Sequence, residues 1–257
     1  MNVRILTGLL LASTAPQAFA QGWLFSLDVP ATAGVQYVAA GQTIRVDDGD
    51  ASLTAFDSGL PPAARPGALA RDPGGATCWS PDIPVDLPDG QFARPDELYC
   101  HLDGTFTRIF RGGDFGLPRG TVITSAGWNA AEQLHLSFAL PVSVAGVLVR
   151  PGTRVRVDGS ALLPVPDMPD LPARTARSAG SFDEQDRSVL ALTAPAGLAG
   201  AFGSGLIVFV NDAGSVSSDD TLAALFDDSR RIGLSGLHRL LPEAVEDFLF
   251  SDRFEAH

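Results

Sequence analysis

Carboxylates gathered at glycine turns are the first candidates for chemistry in this chain. Asp47-Asp48-Gly49-Asp50 places three acids at one turn, and Asp103-Gly104, Asp158-Gly159 and Asp212-Ala213-Gly214 give a simpler form of it. Carboxylate and carbonyl oxygens at a tight turn suit Ca²⁺, which takes about 6–8 oxygen ligands. The EF-hand spacing is missing, however, and Asp favours turns for conformational reasons alone, because its side chain bonds nearby backbone. A second set of acids, Asp57, Asp114, Asp167 and the pair Asp227 and Asp228, recurs at related positions. Two such carboxylates could flank a glycosidic bond. Their recurrence points to the scaffold instead, since one active site has no use for several copies.

Other chemistry is sparse. The histidines are His101, His135, His238 and His257, and none stands in an H-x-x-x-H or H-E-x-x-H arrangement. His101 and His135 fall in β-prone runs, where a solvent-facing imidazole is expected. The chain has no G-x-S-x-G elbow, no phosphate-binding loop and no dinucleotide fingerprint. The sequence therefore assigns no catalytic residue, no metal ligand and no cofactor. Cys78 and Cys100 are the two cysteines. Neither has histidine company at a spacing that would make a nucleophile. Both lie in neighbouring β-prone runs, so an oxidising compartment would join them in a disulfide.

The elements that must position these residues are written four times. Gly49, Gly104, Gly159 and Gly214 follow one another at intervals of 55 residues. Each is preceded by an apolar run ending in proline: Pro30, Pro84, Pro141 and Pro195, spaced 54, 57 and 54 apart. Leu60-Pro61, Leu117-Pro118 and Leu171-Pro172 follow the first three glycines, and Leu225-Phe226 stands where the fourth pair is expected. A fixed period means one supersecondary unit used repeatedly. In the second copy, Thr77–Ser80, Glu97–Leu102, Phe106–Phe110 and Val122–Trp128 read as strands, and Gly112–Pro118 as a loop.

Four strands in some 55 residues match a β-propeller blade better than a solenoid coil. The expected fold is all-β: a four-bladed propeller-like ring, with a β-sandwich as the alternative. The expected divisions are a cleaved signal peptide over 1–20, a repeat domain over 21–241 (units 22–76, 77–133, 134–187 and 188–241) and a tail over 242–257. The first copy begins at Trp23–Leu27 and lacks the strand that precedes it in the others. Ile232–Leu240 supplies it, by analogy with Gly67–Ala70, Thr124–Gly127 and Arg177–Gly180, so that pairing of the two ends closes the ring. Short helices are expected from Asp219 or Asp220 to Phe226 and over Pro242–Phe250.

Arg4, the apolar run Ile5–Ala15 and the Ala18-Phe19-Ala20 cleavage pattern make the signal. That run is too short to span a bilayer, and no later stretch is long and apolar enough. The net charge is −12, and all 18 basic residues are arginine. Such a balance disfavours nucleic acid and anionic lipid as partners. The motif L-x-S-F/L-D-x-P … D-G-x-x-S-L-x-F-D-x-S … G-L-P, clearest over Leu24–Asp57, resembles uncharacterised repeat proteins exported by proteobacteria. Phe248–Glu255, with Arg253 in the place of a glycine, is similar to the I-F-x-D-G-F-E ending of secreted gammaproteobacterial proteins. The resemblance implies a secreted or surface-directed product and carries no catalytic residues. The expected function is that of a monomeric, secreted or periplasmic module that binds a protein or glycan without catalysis. The alternative is a secreted carbohydrate-active hydrolase or lyase. Residues 85–95, 111–116 and 216–231, where the copies disagree, are where specificity is expected.

Overall fold

The computed structural model describes residues 22–48 and 52–165. Beyond these it describes the strands Arg177–Phe182, Ser188–Leu192, Ala196–Leu198, Gly200–Phe202, Ile207–Val210, Val216–Asp219 and Leu234–Leu240, with Leu222, Leu225 and Phe226. The signal segment, the tail and the expected helix at 242–250 lie outside these residues. So does most of the expected helix at 219–226, of which Leu222 alone is described as helical.

The chain builds four antiparallel sheets of four strands each. Sheet two runs Pro66–Arg71, Thr77–Pro81, Glu97–Leu102, Thr105–Arg111, and sheet three Ile123–Trp128, Leu134–Phe138, Val155–Asp158, Ala161–Pro164. Sheet four runs Arg177–Phe182, Ser188–Leu192, Ile207–Val210, Val216–Asp219. Sheet one takes its first strand from the far end of the sequence: Leu234–Leu240, then Gly22–Leu27, Thr43–Asp47 and Thr54–Ala55. Leu24 pairs with His238 on one side and Arg45 on the other. The expected closing strand therefore pairs where the repeat places it. One boundary shifts: Val122–Trp128, read as the last strand of the second copy, is the first strand of sheet three.

The repeat markers have local physical roles. Asp103 and Gly104 both have positive φ, 48° and 78°, as a two-residue hairpin turn demands. Gly159 turns the corresponding corner of sheet three, whereas Gly49 and Gly214 fall outside the described residues. Pro30, Pro84 and Pro141 each precede a small two-stranded hairpin that the sequence pattern does not mark as strand. Inside the second strands, Ser26, Ser80 and Ser137 each donate a hydroxyl to a carbonyl 15 residues further on, at Gly41, Pro95 and Gly152. The fourth copy has buried Ala191 at that place.

The first strands of the four sheets lie side by side. Leu234–Leu240 contacts Pro66–Arg71, which contacts Ile123–Trp128, which contacts Arg177–Phe182, which returns to Leu234–Leu240. Glycine permits this approach. A Cβ on Gly236 would sit 2.9 Å from Leu69 Cβ, and one on Gly67 would sit 2.7 Å from the Ile123 carbonyl oxygen.

The inner strands Gly22–Leu27 and Thr77–Pro81 are packed on both faces and buried throughout, whereas the outer strand Thr105–Arg111 is largely exposed. Leu24 and Leu240 join Leu69, Trp79, Tyr99 and Phe106 in the core between sheets one and two. Cys78, Leu98 and Phe110 join Ile123, Leu136, Phe138 and Val155 between sheets two and three. Phe25, Ile44 and Leu237 meet Val189, Ala191 and Phe226 beside sheet four. The seam between sheets three and four differs. Its sheet-three side presents His135, Arg154 and Arg156, and Arg154 Nη1 donates to Ser188 Oγ at 2.9 Å. A buried polar chain also runs from Ser26 through Thr43 to Ser58, whose carbonyl takes the Trp79 indole N–H at 2.8 Å.

Candidate functional site

The meander sends alternate connections to opposite ends of the sheets. The second-to-third connections and the passages between sheets share one end. Because Gly67 meets Ile123, and Gly236 meets Pro66, the first strands of sheets one, two and three run in the same direction and share that end; sheet four repeats the same order of connections. Hydrogen bonds tie it together. Arg65 donates Nη1 to the Asp28 carbonyl at 2.8 Å and pairs with Asp82 at 2.9 Å, and the Ile123 amide donates to Pro95.

Four hairpins project from this end: Ala31–Ala33 with Gln36–Val38, Val85–Asp86 with Phe92–Ala93, Val142–Val144 with Val147–Val149, and Ala196–Leu198 with Gly200–Phe202. Their inner residues Val38, Val85, Ala93, Val142 and Val149 are buried. Their outer residues are not: Val35 is 106% exposed, Leu148 71%, Tyr37 66% and Val147 56%. Val29, Ile83, Phe92 and Leu140 extend the set, so eight of the ten exposed large apolar residues in the described chain sit on these connections. The opposite end carries Leu102 alone of that group. Among the described residues, exposed large apolar side chains are thus concentrated at this end.

Beside the second hairpin, sheet two holds a cluster of charged and polar groups around one buried carboxylate. Glu97 is 2% exposed at the start of the third strand. Its Oε1 accepts from Arg108 Nη1 at 3.1 Å and lies 3.8 Å from Arg111 Nε. Its Oε2 accepts from the Arg94 amide at 3.1 Å and from the Tyr99 hydroxyl at 3.4 Å. Burial and then the Glu97 charge raise the Tyr99 pKa, which keeps the phenol a donor. Arg94 lies over the Phe92 ring at 5.9 Å. The segment Gly112–Phe115, expected to be loop, forms a short 3₁₀ turn that stacks Phe115 on Phe110 and sets Asp114 3.9 Å from Arg111. Residues 85–95 and 111–116 thus meet at one place.

The remaining candidates take structural positions. Asp47 pairs with Arg45 at 2.8 Å, and Asp48 pairs with Arg239, whose guanidinium covers the Trp23 ring. Both carboxylates are held by arginine, while Gly49 and Asp50 lie outside the described residues. Asp57 accepts from the Gly59 amide, which makes it a turn former. Asp167, Asp227, Asp228 and His257 lie outside the described residues. His101 stacks on Phe106 at 4.8 Å and covers Gly59. His135 corrects the expectation of a solvent-facing strand histidine: it is 6% exposed, on the face of sheet three where Arg154 reaches Ser188 of sheet four. Burial, Arg154 and Arg156 lower its pKa to about 4. Burial and Arg71 lower that of His238 to about 3.

Cys78 and Cys100 are directly opposite in register and joined in a disulfide. With Asp72 they form the one group of metal-capable side chains among the described residues, and the bond between the sulfurs removes both as thiolate ligands. Among the described residues no helix is long and apolar enough to cross a membrane.

No family model matches the chain, and no curated protein matches it. Solved structures do. A catalytically inactive H270A virginiamycin B lyase from Staphylococcus aureus with quinupristin matches at 12% identity and TM-score 0.33, over 76% of this chain and 55% of that one. A calcium-binding protein, regucalcin, from Agrobacterium tumefaciens matches at 14% and 0.31, over 76% and 58%. YCF48 from Cyanidioschyzon merolae matches at 12% and 0.31, over 71% and 52%. The chain spans little more than half the length of these structures, and none of their activities or ligands is carried over.

Proposed function

We propose that the chain is an exported, four-bladed propeller-like module that binds a partner protein through the end bearing its four hairpins. The cycle of contacts among the four first strands and the pairing of Leu234–Leu240 with Gly22–Leu27 support the ring. The disulfide and the sequence's signal pattern support export. The observation that carries the binding reading is the clustering of exposed apolar side chains on the hairpins. Aliphatic tips such as Val35 and Leu148 suit a protein surface. A glycan site would be expected to offer more hydroxyl partners and aromatic faces. The competing hydrolase or lyase needs two carboxylates facing each other across a cleft, about 5–9 Å apart. The described acids are mostly held by arginines or backbone amides instead.

A photo-cross-linking amino acid placed singly at Tyr37, Leu148 and Leu102 tests the reading in the envelope of the producing cell. Protein adducts are expected from Tyr37 and Leu148 and not from Leu102 at the opposite end. Equal adducts from all three positions, or none from the hairpins, would refute it.

A further inference from the structure

We infer that Arg108 and Arg111 form a docking point for carboxylates of an acidic peptide segment on the partner, an inference that rests on the protein-binding reading. The arrangement is built from the inside. A carboxylate withdrawn from water must be paired, and Glu97 is paired by Arg108, the Arg94 amide and Tyr99. One buried carboxylate thereby tethers two guanidiniums whose side chains are still 41% and 42% exposed. Arg111 is the less satisfied of the two. Its contacts with Glu97 and Asp114 are 3.8 and 3.9 Å, beyond hydrogen-bond length, and Asp114 is itself 65% exposed. A planar guanidinium has five N–H donors in a fixed fork that matches a carboxylate. Here two such forks stand three residues apart on one edge strand, Thr105–Arg111.

The net charge of −12 opposes any acidic ligand at a distance. At physiological ionic strength that field decays over about 8 Å, so the local guanidiniums decide the contact. The surroundings select a peptide. Ile109 and Phe92 are exposed beside the arginines, and the neighbouring hairpins add Ile83 and further aliphatic tips. An acidic segment with apolar neighbours covers both kinds of surface, whereas a polyuronate covers only the charged one. Addition of the peptide as a further strand is not implied. Ile109 is the extra residue of a bulge between the Leu98–Phe110 and Tyr99–Arg108 pairs, and bulges blunt an edge.

The probe is a short fluorescein-labelled peptide alternating Glu and Ser, read by anisotropy at low and physiological salt, beside the same peptide with Gln for Glu. The Glu peptide is expected to bind the mature protein about tenfold more tightly than the Gln peptide, with affinity falling as salt rises. R108Q/R111Q should abolish the difference. Because that pair strands the Glu97 charge, E97Q/R108Q/R111Q is measured too, and it should behave in the same way with no buried charge left unpaired. Leu102→Ser at the opposite end should leave Glu-peptide binding unchanged, and the cross-linking at Tyr37 and Leu148, which does not use this peptide, reads the hairpin proposal separately. Equal binding of the two peptides, no binding at low salt, or retained preference in both arginine variants would overturn the inference. Trigalacturonate binding more tightly than the Glu peptide would overturn the choice of a peptide.

Discussion

Removing the Cys78–Cys100 bond should cost the domain several kcal/mol, and the amount follows from its place in the chain. The cysteines are 22 residues apart, so their bond closes a loop that holds the whole second hairpin. The chain-entropy relation for a loop of that length gives about 3.4 kcal/mol at 25 °C. For a domain above 200 residues, each kcal/mol moves the thermal midpoint by roughly 2–4 °C, so reduction should lower it by about 7–14 °C. Both sulfurs are buried between sheets two and three, so Cys78→Ala with Cys100→Ala adds a packing loss on top. The assay is urea unfolding followed by tryptophan fluorescence, on the oxidised protein, the protein held reduced by a phosphine without alkylation, and the double variant. The expected order of midpoints is oxidised, reduced, double variant. Equal midpoints for oxidised and reduced protein would refute the reasoning, as would a mass that does not change on reduction and alkylation.

Trp79→Phe leaves the Ser58 carbonyl without its indole donor in a buried chain and should destabilise by about 2–3 kcal/mol in the same assay. Gly236→Val forces a branched side chain against Leu69 and Pro66 between the first strands of sheets one and two. It should cost about 1–3 kcal/mol, as overpacking does, and a neutral outcome would show that these strands do not meet. His135 is lowered from 6.5 to about 4, so between those values the unfolded chain binds a proton that the folded chain refuses. Stability should therefore be fully present above pH 6.5 and fall as the pH drops towards 4. His135→Gln should flatten that fall in urea midpoints measured from pH 7 to pH 4, and an unchanged slope would place the pH sensitivity elsewhere.

The period made much of this architecture legible. The glycine and proline markers fall at turns and hairpin starts in the described copies, and the missing first strand of sheet one was found at the other end of the chain. The cysteines were placed on facing strands because the repeat aligned them. The four small hairpins were not legible. Val85–Asp86 and Phe92–Ala93 have two residues each, too short for a periodic pattern. His135 was misread because alternation shows which side of a strand a residue takes, and only the packing of a further sheet shows that both sides are covered. The Glu97 cluster left one usable signal: it lies beside the segments where the copies disagree. That Arg108 and Arg111 share a single acid depends on tertiary position, and spacing alone does not reveal it.

A closed ring requires the end of the chain to complete its beginning. Hydrogen exchange of the protein, read peptide by peptide, tests this directly. In the paired arrangement the amides of Leu234–Leu240 are bonded to Gly22–Leu27, and residues such as Leu24 and Phe25 are wholly buried. Protection of 234–240 should therefore approach that of 22–27 and 66–71, because the strands open together. Exchange of 234–240 at the rate of an unstructured chain, with 66–71 still protected, would contradict the ring.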